Sequence, residues 1–417
     1  MSLTITQAPS FISPLYDKNP FVITSSNIAQ ENFYYLYYIT DMNGTVSSSR
    51  QPQSPGGYGI FDPNVITKNK ISYNFQPTVI GCDTNENTFY QYKISYGTIS
   101  DGTYDTPVVT DIVNSFNSGF QLSDTTPELE MQKFLLNSST SQVLTDMKDN
   151  NIVVNKNSYY AFNYIKGNFT AMGAVASNPY KWVFKFYKLD GTSGTYAYND
   201  TSSYTTVSTS TFMTNPENIV NSVGVGPKNI MGTTFDVGGT ITSSYFDDLD
   251  YYTVQAQNVS SVALSQVYTF KMKCDGNHKN YQIFYLNEKG GFDAIQFNKS
   301  NMLEISQKTK TFTKNPFELV EGMGFTNYYY TQGNRGMTSL NKVPKKRIKV
   351  YSDLIWEDDF DMYEKFMMSP THILYQDGLE IPLNLITEKI TLEDKFNRKM
   401  YKIPFTFEYS NKNKINL

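Results

Sequence analysis

The sequence predicts a mainly β protein of tandem β-sandwich, immunoglobulin-like domains, with one amphipathic α-helix in the last domain. Three observations predict it. Tyr (33) and Phe (28) are abundant beside many Ser, Thr and Asn, and rings pack on pleated faces while small polar residues fill turns. Short aromatic or β-branched runs recur between clusters of Gly, Pro, Asn and Asp. At 417 residues, 39% hydrophobic and 18% charged, the chain is long enough for two or three cores.

Residues 1–110 read as the first sandwich. Residues 3–6 alternate and form a strand, prolines 9, 14 and 20 interrupt the chain, and residues 21–24 form the next strand. Residues 32–39 are aromatic on both faces, as an interior strand requires, and Asn43-Gly44 turns it. A Pro/Gly loop over 47–57 and strands over 71–75 and 89–96 complete an antiparallel set.

Residues 111–272 read as a middle β domain with a short helical insertion. Thr126-Pro127-Glu128 places a cap, a first-turn proline and an acid at a helix start, with Leu129, Lys133, Phe134 and Leu136 marking one or two short amphipathic turns. Strands follow over 159–165, 182–187, 251–257 and 262–273, and Asp190-Gly191 forms a turn.

Residues 273–417 read as the C-terminal β domain. Its centre is a hairpin over 281–297, in which Gly290-Gly291 supply a tight turn, a bulge or a close backbone approach. Strands over 302–305 and 309–313 come next, then the run Tyr328, Tyr329, Tyr330 feeding a glycine-rich tip that holds Arg335. Lys345, Lys346 and Arg347 lead back into sheet. A helix is expected over 353–368, capped by Ser352 or Asp353, with acids at its positive end and one face formed by Trp356, Phe360, Tyr363 and Met367. Ser369-Pro370 stops it, a hairpin over 372–381 follows, and residues 405–409 close the sheet.

The residues argue against chemistry. Only His278 and His372 are present, with no nucleophile beside them in sequence. Cys82 and Cys274 are too few for a disulfide framework and read as free thiols. Cys274 and His278 supply two of the four ligands zinc needs. Asp247, Asp248 and Asp250 lack the spaced pattern and glycine of a calcium loop. Val223-Gly224-Val225-Gly226 has no following Gly-Lys-Ser/Thr and reads as a plain turn. A net charge of −4 gives no reason for direct nucleic-acid binding. No apolar run reaches the roughly 20 residues that span a bilayer, and the N-terminus shows no signal-peptide pattern. The expectation is no catalytic residue, no cofactor, no metal and no membrane contact.

The hairpin carries a family resemblance. An aromatic strand, then Leu286-Asn287, two residues, Gly290-Gly291-Phe292-Asp293 and another aromatic strand, resembles a hairpin in ring-forming tail and collar proteins of crAss-like phages of Bacteroidetes. Trp356, Phe366, Met367, Ser369 and Pro370 resemble a second pattern of that family, a tryptophan-led helix ending in Ser-Pro. Phe134-Leu135-Leu136-Asn137 stands where the family places an apolar-Asn step before a strand.

The resemblance implies a structural virion protein with no catalytic residues, assembled in the host bacterial cytoplasm. It implies a ring below a portal of twelvefold symmetry, hence twelve copies or, as the alternative, six. The expected partners are itself and other tail, collar and portal proteins. Tyr328, Tyr329, Tyr330, Arg335, Lys345, Lys346 and Arg347 are the expected subunit-interface residues, because tyrosine is enriched at interface cores and a basic run suits an acidic partner. The alternative reading is a tail-associated adhesin or carbohydrate-binding β-protein, whose tyrosines would stack on sugars.

Overall fold

The computed structural model describes residues 3–16, 20–105, 107–119, 133–148, 152–166, 181–200, 207, 210–213, 219–273, 278–313, 317–322, 325–330, 336–353, 355–356, 359–390, 400–410 and 415–416. The chain is mainly β, in several mostly antiparallel sheets. It forms two compact units. The first comprises Met1–Asp275, Tyr285–Ile295 and Glu364–Ser369; the second comprises Gly276–Phe284, Gln296–Tyr363 and Pro370–Leu417.

In the first unit, one sheet runs in the order Ile12–Pro14, Val108–Phe116, Phe89–Ser100, Tyr34–Asp41, Val46–Pro52. A three-stranded sheet of Leu3–Gln7, Phe21–Ser25 and Tyr58–Phe61 packs on it. Period-two alternation explains the packing: Tyr35, Tyr37 and Ile39 share one core with Tyr92, Ile94 and Tyr96, which meets Phe21, Ile23 and Phe61 of the smaller sheet. The Tyr37 ring stacks on Phe61 with centroids 4.8 Å apart. Tyr34–Asp41 is an interior strand with a neighbour on each side, which accounts for the large apolar and aromatic side chains on both its faces.

A second pair of sheets follows in the same unit. A five-stranded sheet runs Ile152–Val154, Tyr268–Met272, Leu249–Gln257, Lys181–Lys188, Ser193–Asn199, and a three-stranded one runs Ala161–Ile165, Val220–Gly224, Cys82–Thr84. Phe162 lies against Tyr268 and Phe270, and Tyr164 against the fully buried Trp182. The strand Val108–Phe116 crosses the boundary expected near residue 110, and Cys82–Thr84 joins a sheet of the middle segment. Long-range pairing of this kind leaves no mark in local sequence.

A further sheet runs in the order Phe292–Phe297, Tyr281–Leu286, His372–Gln376, Leu379–Leu385, Pro404–Tyr409, Met337–Tyr351, Met302–Thr313, and Ile415–Asn416 also pairs with Met337–Tyr351. The helix is shorter than expected and spans Phe360–Met368. Ile355–Trp356 is a strand, paired with Met400–Tyr401, so Trp356 does not lead the helix. Ser352 does not cap it either: its hydroxyl accepts a hydrogen bond from the Ile403 N–H at 2.8 Å and holds the chain extended. Of the face expected of the helix, Tyr363 is buried and stacks on Phe405 while Phe360 and Met367 are half-buried; the other buried side chain of the helix is Phe366, outside that expected face. The expected helical insertion lies largely outside the described residues; its described end, Lys133–Leu136, is a turn with an isolated parallel bridge from Leu135 to Ile165.

Candidate functional site

The hairpin tip, residues 287–293, is a polar clamp within the first unit. Gly290 has φ +90°, a conformation open to glycine at little cost, and a Cβ there would overlap the Asn117 carbonyl oxygen. A Cβ on Gly291 would overlap the Leu144 carbonyl oxygen. Both glycines are therefore close backbone approaches. The Gly119 N–H and the Ser118 hydroxyl donate to the Glu288 carbonyl, each at 2.7 Å.

Asp293 is completely buried and both its oxygens are satisfied. Oδ1 accepts the hydroxyls of Thr145 and Tyr160; Oδ2 accepts the Asp146 N–H and the Asn287 amide, both at 2.8 Å. Asn287 also accepts the N–H groups of Lys289 and Gly291 and donates to the Leu144 carbonyl. Each polar residue of the motif is thus consumed in holding three segments, 117–119, 144–146 and 160–163, to the hairpin. A carboxylate taking four hydrogen bonds ties its neighbours together.

Asp146 is the second carboxylate of the clamp. Its side chain is 0% exposed, with Lys289 Nζ at 3.7 Å and Lys365 Nζ at 4.0 Å from Oδ1. Burial, followed by the Asp293 charge, pushes its carboxyl from 3.8 up to about 7 against the pull of the two lysines. It borders a cleft of about 380 Å³ that Gln142, Lys148, Gln266 and Tyr268 also line. The lining has no histidine, cysteine or serine.

The raised value has a measurable consequence. Between about pH 4 and pH 7 the folded chain holds a proton on Asp146 that the unfolded chain has released, so stability falls as pH rises through that window and levels off above it. The slope is at most about 1.4 kcal/mol per pH unit. Urea midpoints measured across pH 4–8 should show this decline, and Asp146→Asn should remove it; a variant with an unchanged profile would clear Asp146 of the effect.

His372 is buried beside Phe407, and His278 is exposed. Burial, then the Asp200 charge, pushes the Cys82 thiol up to about 12; Cys274 lies outside the described residues. Asp247 pairs with Lys156 at 3.6 Å. Among the described residues no group of three or more His, Cys, Asp or Glu is placed to hold a metal ion. The Val223–Gly226 segment is more than a plain turn. It passes from strand Val220–Gly224 into a single helical turn, Pro227–Ile230. There Asn229 accepts the Tyr160 N–H and donates to the Pro77 and Val79 carbonyls.

The expected interface residues that the structure describes lie on one feature, a β-arm in the second unit. Met302–Thr313 pairs along its whole length with Met337–Lys349, and Phe317–Gly322 pairs with Phe325–Tyr330 between them in sequence. Tyr328, Tyr329 and Tyr330 oppose Leu319, Glu318 and Phe317 in register; their side chains, and Arg335, lie outside the described residues. Lys345 and Arg347 are engaged by Glu408, with Nζ 3.3 Å from Oε1 and Nε 3.2 Å from Oε2. Burial alone would raise the Glu408 carboxyl, but hydrogen bonds and charge from Lys345 and Arg347 hold it below its ordinary value. Lys346 stands over the Tyr409 ring at 4.6 Å. The basic run is thus partly spent inside its own sheet, which the sequence did not signal because Glu408 is some sixty residues away.

The edge strand of the arm is different. Met302–Thr313 is an edge strand, exposed at nearly every position. Met302, Leu303, Ile305, Phe312, Met337 and Leu340 are exposed by 43% or more. No family model and no curated protein matches the chain. Among the described residues no helix is long and apolar enough to cross a membrane.

Proposed function

We propose that this chain is a structural virion component, a ring-forming subunit of the tail or collar of a crAss-like phage, placed below the portal. The observation that carries the assembly role is the exposed arm. An edge strand presents a row of unpaired backbone groups, and a cluster of exposed apolar side chains marks a contact surface. The resemblance at Leu286–Asp293 supports the phage assignment, and the clamp gives the polar residues of that motif a structural use without any catalytic one. The ring holds twelve copies, or six, joined head to tail through heterologous contacts. Neighbouring tail, collar or portal proteins bind its two faces, and no enzyme activity, cofactor or nucleic-acid contact is involved.

Light scattering and low-resolution imaging of the purified chain test this. The expected result is a closed ring with the mass of twelve or six subunits. A chain that stays monomeric at high concentration, alone and with virion partners, would overturn the ring, and binding of host glycan by that monomer would favour an adhesin.

A further inference from the structure

The charges of the chain are divided by segment. Residues 1–275 carry 15 Lys and Arg against 22 Asp and Glu, a net of −7, whereas residues 302–349 carry 9 against 3, a net of +6. On the arm, Lys308, Lys310 and Lys342 are exposed and take part in no ion pair among the described residues, unlike Lys345 and Arg347. Lys308 opposes Val343, Lys310 opposes Asn341 and Lys342 opposes Thr309, so no cross-strand acid offsets them. Exposed Asp83, Glu86, Asp101, Asp111, Asp236 and Asp248 give the first unit its negative surface.

From this we infer that the arm of one copy docks on the first unit of a second copy. Lys308, Lys310 and Lys342 meet its carboxylates, while Met302, Ile305, Phe312 and Met337 leave water in the same contact. Charge complementarity selects the partner and speeds encounter, and burial of the apolar side chains supplies the holding force. The inference rests on the ring reading and adds to it which surface meets which. At about 3.4 Å per residue, the twelve residues of Met302–Thr313 reach roughly 40 Å, enough to cross a neighbouring sandwich.

The test mixes isotopically heavy and light full-length chains and joins amines to carboxylates with a zero-length carbodiimide. Heavy–light cross-links from Lys308, Lys310 or Lys342 to acids within 1–275 are expected. The triple variant Lys308→Glu, Lys310→Glu, Lys342→Glu should weaken self-association about tenfold or more at low salt and less at high salt. Folding is checked on the same variant by its melting curve, since exposed charges carry little of the fold. Rings that form normally but give only same-isotope links, arm-to-arm links or no arm links would overturn the docking and leave the ring standing. A chain that never self-associates would overturn both.

Discussion

Gly290→Val is expected to prevent stable folding of the hairpin tip and of the segments it clamps. A β-branched residue at φ +90° costs about 1–3 kcal/mol in backbone strain. Its Cβ also overlaps the Asn117 carbonyl oxygen, which is backbone and has no rotamer to retreat into. Relief requires moving segment 117–119, and overpacking of this sort typically costs a further 1–3 kcal/mol or so. The sum is a large share of the roughly 5–15 kcal/mol that holds a domain. Gly378 supplies the control, with φ +79° and nothing within 4 Å of the point where a Cβ would stand. Gly378→Ala should lose only the conformational part, roughly 1–2 kcal/mol. Urea midpoints for the two variants separate the effects, and equal losses would show that the Asn117 contact carries nothing.

The hairpin was legible because its signals are local. Two adjacent glycines between aromatic strands point to one turn, and the structure places it at the same residues. The partners of Asn287 and Asp293 were not legible, because they come from segments about 130–150 residues earlier in the chain. The helix shows the opposite failure. Trp356, Phe360, Tyr363 and Met367 fit a helical period, yet Trp356 belongs to a strand whose partner is Met400–Tyr401. Four apolar positions at helical spacing do not exclude an extended start when a distant strand supplies the pairing. The arm was readable as polar strands and a tyrosine run, but its exposure was not, since alternation does not reveal that both faces lie open.

Asp200→Asn is expected to cost roughly 3–5 kcal/mol, because it removes one member of a buried, hydrogen-bonded ion pair. Lys166 Nζ lies 3.1 Å from both Asp200 oxygens, and the two side chains are 2% and 0% exposed. The Tyr164 hydroxyl donates to Asp200 Oδ2 at 2.9 Å, so the pair sits in a network and not as an isolated contact. Sequence offered one faint signal, a lysine directly after the strand Ala161–Ile165; nothing local marked Asp200 as its partner. The double variant Lys166→Met with Asp200→Asn removes both charges and keeps an acceptor for Tyr164. It should recover most of the loss, because the expense lies in keeping the lysine charge buried more than in the missing attraction. The coupling between the two substitutions is then far from additive. Denaturant melts of the two singles and the double read it directly: losses that simply add would mean that Lys166 finds water or another partner once Asp200 is neutral, and that the pair is not the keystone of this core.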